Sequence, residues 1–177
     1  PCPGGGFCPD AGAASASVFR QCAAGSYNPS VGASSSTACL GCPRGKSTPV
    51  PGSSDPNVCV DCLAGSFASN EATAVCTLCP AGKFQGSSGQ SECQNCTAGY
   101  ICLQGSSAPV PCPGGTHANQ TILEAVGFLS SQSDCLHCAP GTFCPVGSAQ
   151  ATPCAPGPFL SPIHISEPTR RTPISYA

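Results

Sequence analysis

Cys39-Leu-Gly-Cys42-Pro-Arg-Gly45-Lys-Ser-Thr-Pro-Val-Pro-Gly-Ser-Ser-Asp-Pro-Asn-Val-Cys59-Val-Asp-Cys62 is the stretch whose reading decides the fold. Taken as two C-x-x-C pairs, it has the spacing of a zinc ribbon, and Cys76, Cys79, Cys93 and Cys96 come close to the same spacing. Taken in the other phase, each C-x-x-C is a closing cysteine followed by an opening one, and each opener begins a C-x-x-G. The second phase runs through the whole chain. Openers stand at Cys2, Cys22, Cys42, Cys62, Cys79, Cys96, Cys112, Cys138 and Cys154, with Gly5, Gly25, Gly45, Gly65, Gly82, Gly99, Gly115, Gly141 and Gly157 three places on. Between successive openers stands one closer: Cys8, Cys39, Cys59, Cys76, Cys93, Cys102, Cys135 and Cys144. All 17 cysteines are thereby accounted for.

Seven of the sites, Cys2, Cys8, Cys22, Cys102, Cys112, Cys144 and Cys154, lie outside any C-x-x-C, so zinc would require one motif to mean two things. Disulfides therefore take precedence over metal. The expected pairing joins each opener to the next closer: Cys2–Cys8, Cys22–Cys39, Cys42–Cys59, Cys62–Cys76, Cys79–Cys93, Cys96–Cys102, Cys112–Cys135 and Cys138–Cys144, with Cys154 unpaired. Spacing also admits overlapped schemes such as Cys96–Cys112. The beads run 2–21, 22–41, 42–61, 62–78, 79–95, 96–111, 112–137, 138–153 and a truncated 154–159. A bead of this size cannot bury a core of its own. Stability must come from stacking, as in other repeat proteins, and the expected architecture is small and disulfide-rich: tandem beads of short hairpins and turns, little regular secondary structure, an elongated rod without a central core.

Two residues after most of the motif glycines comes a ring: Phe7, Tyr27, Phe67, Phe84, Phe143 and Phe159. The glycine is expected to hold a positive φ, turning the chain so that the ring covers the disulfide and is shared with the next bead. Bead 112–137 is the longest and contains the one helix-like stretch, near 121–130, with Thr121 and Glu124 as a capping box and Ile122, Val126 and Leu129 at helical spacing.

This many structural disulfides place the chain in an oxidising, extracytoplasmic space. Asn119-Gln120-Thr121 is an N-glycosylation acceptor, and Asn95-Cys96-Thr97 a weaker one. Net charge is -2 with only 6 Lys and Arg, which argues against a nucleic-acid or anionic-membrane surface. No run is long and apolar enough to span a membrane and no signal peptide is visible, so membrane attachment would come through other parts of a larger parent chain. Asp55, Asp61, Glu71, Glu92 and Asp134 are scattered singly, unlike a calcium site, and His117 and His137 lack a nucleophile or carboxylate pattern. No catalytic residue and no cofactor motif is assigned. Residues 160–177 have another character: Ile-His-Ile-Ser-Glu-Pro-Thr-Arg at 163–170 is what the common transposase sequencing adapter encodes, so this tail is set aside as non-native.

The alternation of C-P/A-x-G-x-[FY] … C-x-x-C with beads such as Cys138-Ala-Pro-Gly-Thr-Phe-Cys144 resembles the ephrin-receptor-like cysteine-rich repeat over about residues 2–159. That repeat is similar in style to tumour-necrosis-factor-receptor and growth-factor-receptor modules of EGF-like disulfide density. The resemblance implies an extracellular, elongated, disulfide-stapled and non-catalytic segment of a secreted or membrane-anchored surface protein, a spacer with an unknown protein or glycan ligand. A zinc-binding module and a disulfide-exchange enzyme are the rival readings. The exchange enzyme would need a strand and a helix N-terminus beside a C-x-x-C, and neither is evident.

Overall fold

The computed structural model describes residues 1–9 and 18–155; Gly157, Phe159 and the tail 160–177 lie outside them. The order of events in each bead is the same. The C-x-x-G turns the chain, two or three residues form a first strand, a loop follows, and a second strand leads into the next opener. Strands β1 (Gly6–Phe7) and β2 (Arg20–Gln21) pair antiparallel, as do β3 (Ser26–Tyr27) with β4 (Leu40–Gly41), β5 (Lys46–Ser47) with β6 (Val60–Asp61), and β7 (Ser66–Phe67) with β8 (Thr77–Leu78). The series continues with β9 (Lys83–Phe84) beside β10 (Gln94–Asn95). It ends with β11 (Tyr100–Ile101) on β12 (Val110–Pro111), β13 (Thr116–Ala118) on β14 (Cys135–His137), and β15 (Thr142–Phe143) on β16 (Thr152–Pro153).

A two-residue hairpin is not stable by itself in water. Backbone hydrogen bonds between beads make up the difference, four at each junction from bead 2–21 to bead 79–95. Between beads 42–61 and 62–78, the Cys62 N–H donates to the Gly45 carbonyl at 2.8 Å, and the Gly45 N–H donates to Ala68 at 3.0 Å. The Thr48 N–H reaches Thr73 at 3.2 Å, and the Ala72 N–H returns to Cys42 at 2.9 Å. The same four recur one bead earlier through Cys42, Gly25, Asn28 and Gly52, and one bead later through Cys79, Gly65, Ala68 and Gly89. Donors that a short hairpin would leave unpaired are thus satisfied by the neighbour.

The chain divides into two compact units, the first Pro1–Gln94 with Gln104–Ala108, the second Asn95–Leu103 with Pro109–Ala177. Within the first, contacts reach beyond the adjacent bead. A Cβ on Gly45, whose φ is +82°, would fall onto the Gly89 carbonyl two beads on. The motif glycine is therefore required by close approach as well as by its left-handed backbone. In the second unit Gly115 has φ +83° but open space around it.

The junctions show backbone hydrogen bonds; of the motif rings, Tyr27 stands opposite Leu40 and Phe67 opposite Thr77 across their hairpins, each half-buried, and Phe143 is exposed. Such cross-strand pairs contribute roughly 0.2–1 kcal/mol each. One expectation needs correction. The helix α1 runs Gln120–Val126, capped by Asn119 rather than Thr121, whose N–H donates to the Asn119 side chain. It stops because Gly127 takes φ 89°, a left-handed C-cap. Leu129 lies past it, fully buried with Ile101, Cys112 and Ala118, and Ile122 and Leu123 of α1 pack against them, whereas Val126 is exposed. The long loop of bead 112–137 thereby gives the second unit a small apolar core of its own.

Candidate functional site

The half-cystines are the chemistry-bearing groups of the chain, and the hairpins determine how they face. In Cys39-Leu-Gly-Cys42 and Cys59-Val-Asp-Cys62 the two middle residues are the second strands β4 and β6. Side chains alternate along a strand, so cysteines three apart point to opposite sides. Each C-x-x-C accordingly divides between two bonds: Cys39 is joined to Cys22, while Cys42 is joined to Cys59. The remaining bonds are Cys2–Cys8, Cys62–Cys76, Cys79–Cys93, Cys96–Cys102, Cys112–Cys135 and Cys138–Cys144, and Cys154 is free and half-buried. Four convergent thiolates, which a zinc ribbon needs, do not arise from that arrangement.

The opener supplies the buried end of most bonds, with Cys22, Cys42, Cys62, Cys79 and Cys112 all almost without exposure. A second recurrent position is buried in every described bead. It lies three residues after the motif glycine and is occupied by Cys8, Asn28, Thr48, Ala68, Gln85, Cys102, Ala118 and Cys144. Beads that close early and beads that close late are thus one structure with the partner cysteine in one of two places: this inner position, or the start of the second strand, just before it at Cys39, Cys59, Cys76 and Cys93 and as its first residue at Cys135.

Where the inner position is polar, its side chain is used. Asn28 donates through Nδ2 to the Gly6 carbonyl at 2.8 Å, and its Oδ1 accepts the Ser30 N–H at 3.0 Å. Gln85 donates to the Glu92 carbonyl at 2.8 Å and accepts the Ser87 N–H at 3.0 Å; Thr48 accepts the Val50 N–H at 3.2 Å. Each holds the turn that follows it, and no buried side-chain polar atom among the described residues lacks a partner. Asn28→Ala should therefore lower stability by about 1–3 kcal/mol, because the buried Gly6 carbonyl loses its donor and the turn at Ser30 loses its acceptor. Urea unfolding of the oxidised protein reads that loss, and an unchanged midpoint would show that the position is only a filler. Sequence reasoning overlooked this position, whose one signal is its constant offset from the glycine.

The scattered acids have local roles. Asp55 caps the 3-10 turn Pro56–Val58, Asp134 closes a capping box with Ser131, and Asp61 pairs with Lys46 at 2.8 Å across β5 and β6. That ion pair is exposed and contributes at most about 1 kcal/mol. Glu71 and Glu92 are exposed, as is His137. Nδ1 of His117, the middle residue of β13, lies 2.9 Å from the Ala118 carbonyl. Among the described residues no cluster of three or more His, Cys, Asp or Glu could hold a metal.

Residues 65–102 match the family model described as tyrosine-protein kinase ephrin type A/B receptor-like. The chain carries an ephrin-receptor-like cysteine-rich repeat. The matched window begins at Gly65 of one motif, contains the late-closing bead 79–95, and ends at the early closer Cys102, so both ways of closing a bead fall inside it. No match to a curated protein accompanies it. Ephrin-receptor-like repeats are a non-catalytic receptor module, and the disulfides and hairpins described above are consistent with an extracellular repeat.

Proposed function

We propose that this chain is a non-catalytic, extracellular stretch of stacked ephrin-receptor-like repeats within a larger secreted or membrane-anchored surface protein, acting as a spacer and as a contact surface for a protein or glycan ligand. The observation that carries the proposal is the junction ladder. Half-cystines and backbone donors are absorbed in holding one bead to the next, and the residues left outward are those of the second strands, including Leu40, Val60 and Leu78 in the first unit. A surface of this kind suits binding, whereas an active centre needs convergent reactive groups. The extracellular assignment is supported by sixteen cysteines engaged in eight bonds, an economy that a reducing compartment would not sustain.

Protein secreted from eukaryotic cells, denatured without reductant and titrated for thiols, should show a single free thiol, that of Cys154, and carry no stoichiometric zinc. Many free thiols with bound zinc would establish the metal module instead. One C-x-x-C pair that is reduced by glutathione while the others resist would establish the exchange enzyme.

A further inference from the structure

We infer that Asn119 carries an N-linked glycan and that Asn95, the other acceptor triplet, stays bare; this rests on the extracellular reading above. Asn119 is the N-cap of α1, and its side-chain oxygen accepts the Thr121 N–H at 3.0 Å. Its amide nitrogen makes no hydrogen bond among the described residues. Since no buried side-chain nitrogen or oxygen there is without a partner, that nitrogen faces solvent. The two atoms of the amide have separate duties: the oxygen holds the helix, and the nitrogen is left for modification. A glycan on the nitrogen therefore preserves the cap. Thr121, which completes the triplet, is exposed.

Asn95 is exposed where Asn119 is half-buried, so it is the surroundings of Asn95 and not its exposure that set it apart as an acceptor. It is the last residue of β10, and the middle residue of its triplet, Cys96, is bonded to Cys102 at a sequence separation of 6. So short a loop closes readily during folding and fixes the chain beside the acceptor. Asn119 sits inside the Cys112–Cys135 loop, whose separation is 23, with its acceptor triplet well away from either cysteine. Transfer needs a lipid-linked oligosaccharide diphosphate as donor. The Asn119 nitrogen bonds to the first sugar carbon, the bond from that carbon to phosphate oxygen breaks, the lipid diphosphate leaves, and the nitrogen gives up one proton.

The test is the intact mass of oxidised protein secreted from eukaryotic cells, before and after enzymatic removal of N-glycans. One glycan should be present in the starting protein and in Asn95→Gln, and absent from Asn119→Asp and Thr121→Val. Enzymatic release should leave Asp at position 119. Asn119→Asp, which keeps a capping oxygen, should melt with the enzymatically deglycosylated starting protein, whereas Asn119→Ala should melt lower. Secreted, oxidised protein without a glycan, or with one at Asn95, overturns the inference while leaving the extracellular reading standing. Retention in the cell with reduced cysteines overturns both.

Discussion

Gly45→Ala should destabilise the first unit by about 2–5 kcal/mol, whereas Gly115→Ala should cost only about 1–2 in the second. Both glycines occupy the third place after an opener, and both have a left-handed backbone, φ +82° and φ +83°. The backbone penalty is common to the two. What separates them is the neighbour: a Cβ on Gly45 meets the Gly89 carbonyl, and a Cβ on Gly115 meets nothing within 4 Å. Because the obstructing atom is backbone, relief requires the bead 79–95 to move, which weakens the Gly45 N–H bond to Ala68 and the Gly89 N–H bond to Cys62 as well. Urea unfolding of the two oxidised variants measures the difference. Equal losses would mean that φ alone explains the motif and that contact with the second bead along is incidental.

Replacing Cys62 and Cys76 together by Ala should cost about 3 kcal/mol from loop closure alone. The loop spans a separation of 14, and the larger Cys112–Cys135 loop, at 23, would be worth only a few tenths more by the same relation. Loop length does not decide the outcome. Burial does: Cys62 is 1% exposed, and its carbonyl and N–H both belong to junctions, so its loss loosens the beads on either side. The apolar cluster of Leu129, Ile101 and Ala118 lies in the other unit and should be untouched. Thermal unfolding followed by chemical shifts of these two groups should show Ala68 and Gly89 lost early and Leu129 unchanged. Simultaneous loss of all three would contradict the picture of separable beads.

The disulfide-rich class was legible because its two determinants are written as residue types: cysteine at the opener and closer, glycine at the left-handed turn. The ladder between beads was not legible, since it is made of backbone groups that every residue possesses. The inner position escaped for a different reason. What it requires is burial with its polar atoms satisfied, and Asn28, Thr48, Ala68, Gln85 and Cys102 meet that requirement in unlike ways. Even so, the offset from the glycine was in plain view in the beads that close early, where a cysteine occupies it. An aromatic at a fixed offset reads as core, yet the described rings are half-buried at Phe7, Tyr27, Phe67 and Phe84 and 46% exposed at Phe143. At α1 the capping-box pattern at Thr121 and Glu124 competed with a better cap two residues earlier, where an Asn oxygen reaches the N2 amide.

Hydrogen exchange of the oxidised chain, with and without the Cys62→Ala and Cys76→Ala pair, tests most directly the claim that beads are held by disulfides and by the backbone bonds between them. In the starting protein the amides of Cys42, Gly45, Thr48 and Ala72 should be protected, because each donates across a junction. In the variant, protection should fall at Gly65, Ala68 and Gly89, which belong to the junctions of bead 62–78, and persist at Cys138 and Gly147 in the second unit. Uniform loss of protection from the first opener to Cys154 would show one cooperative globule, and the stacked-repeat account would be wrong.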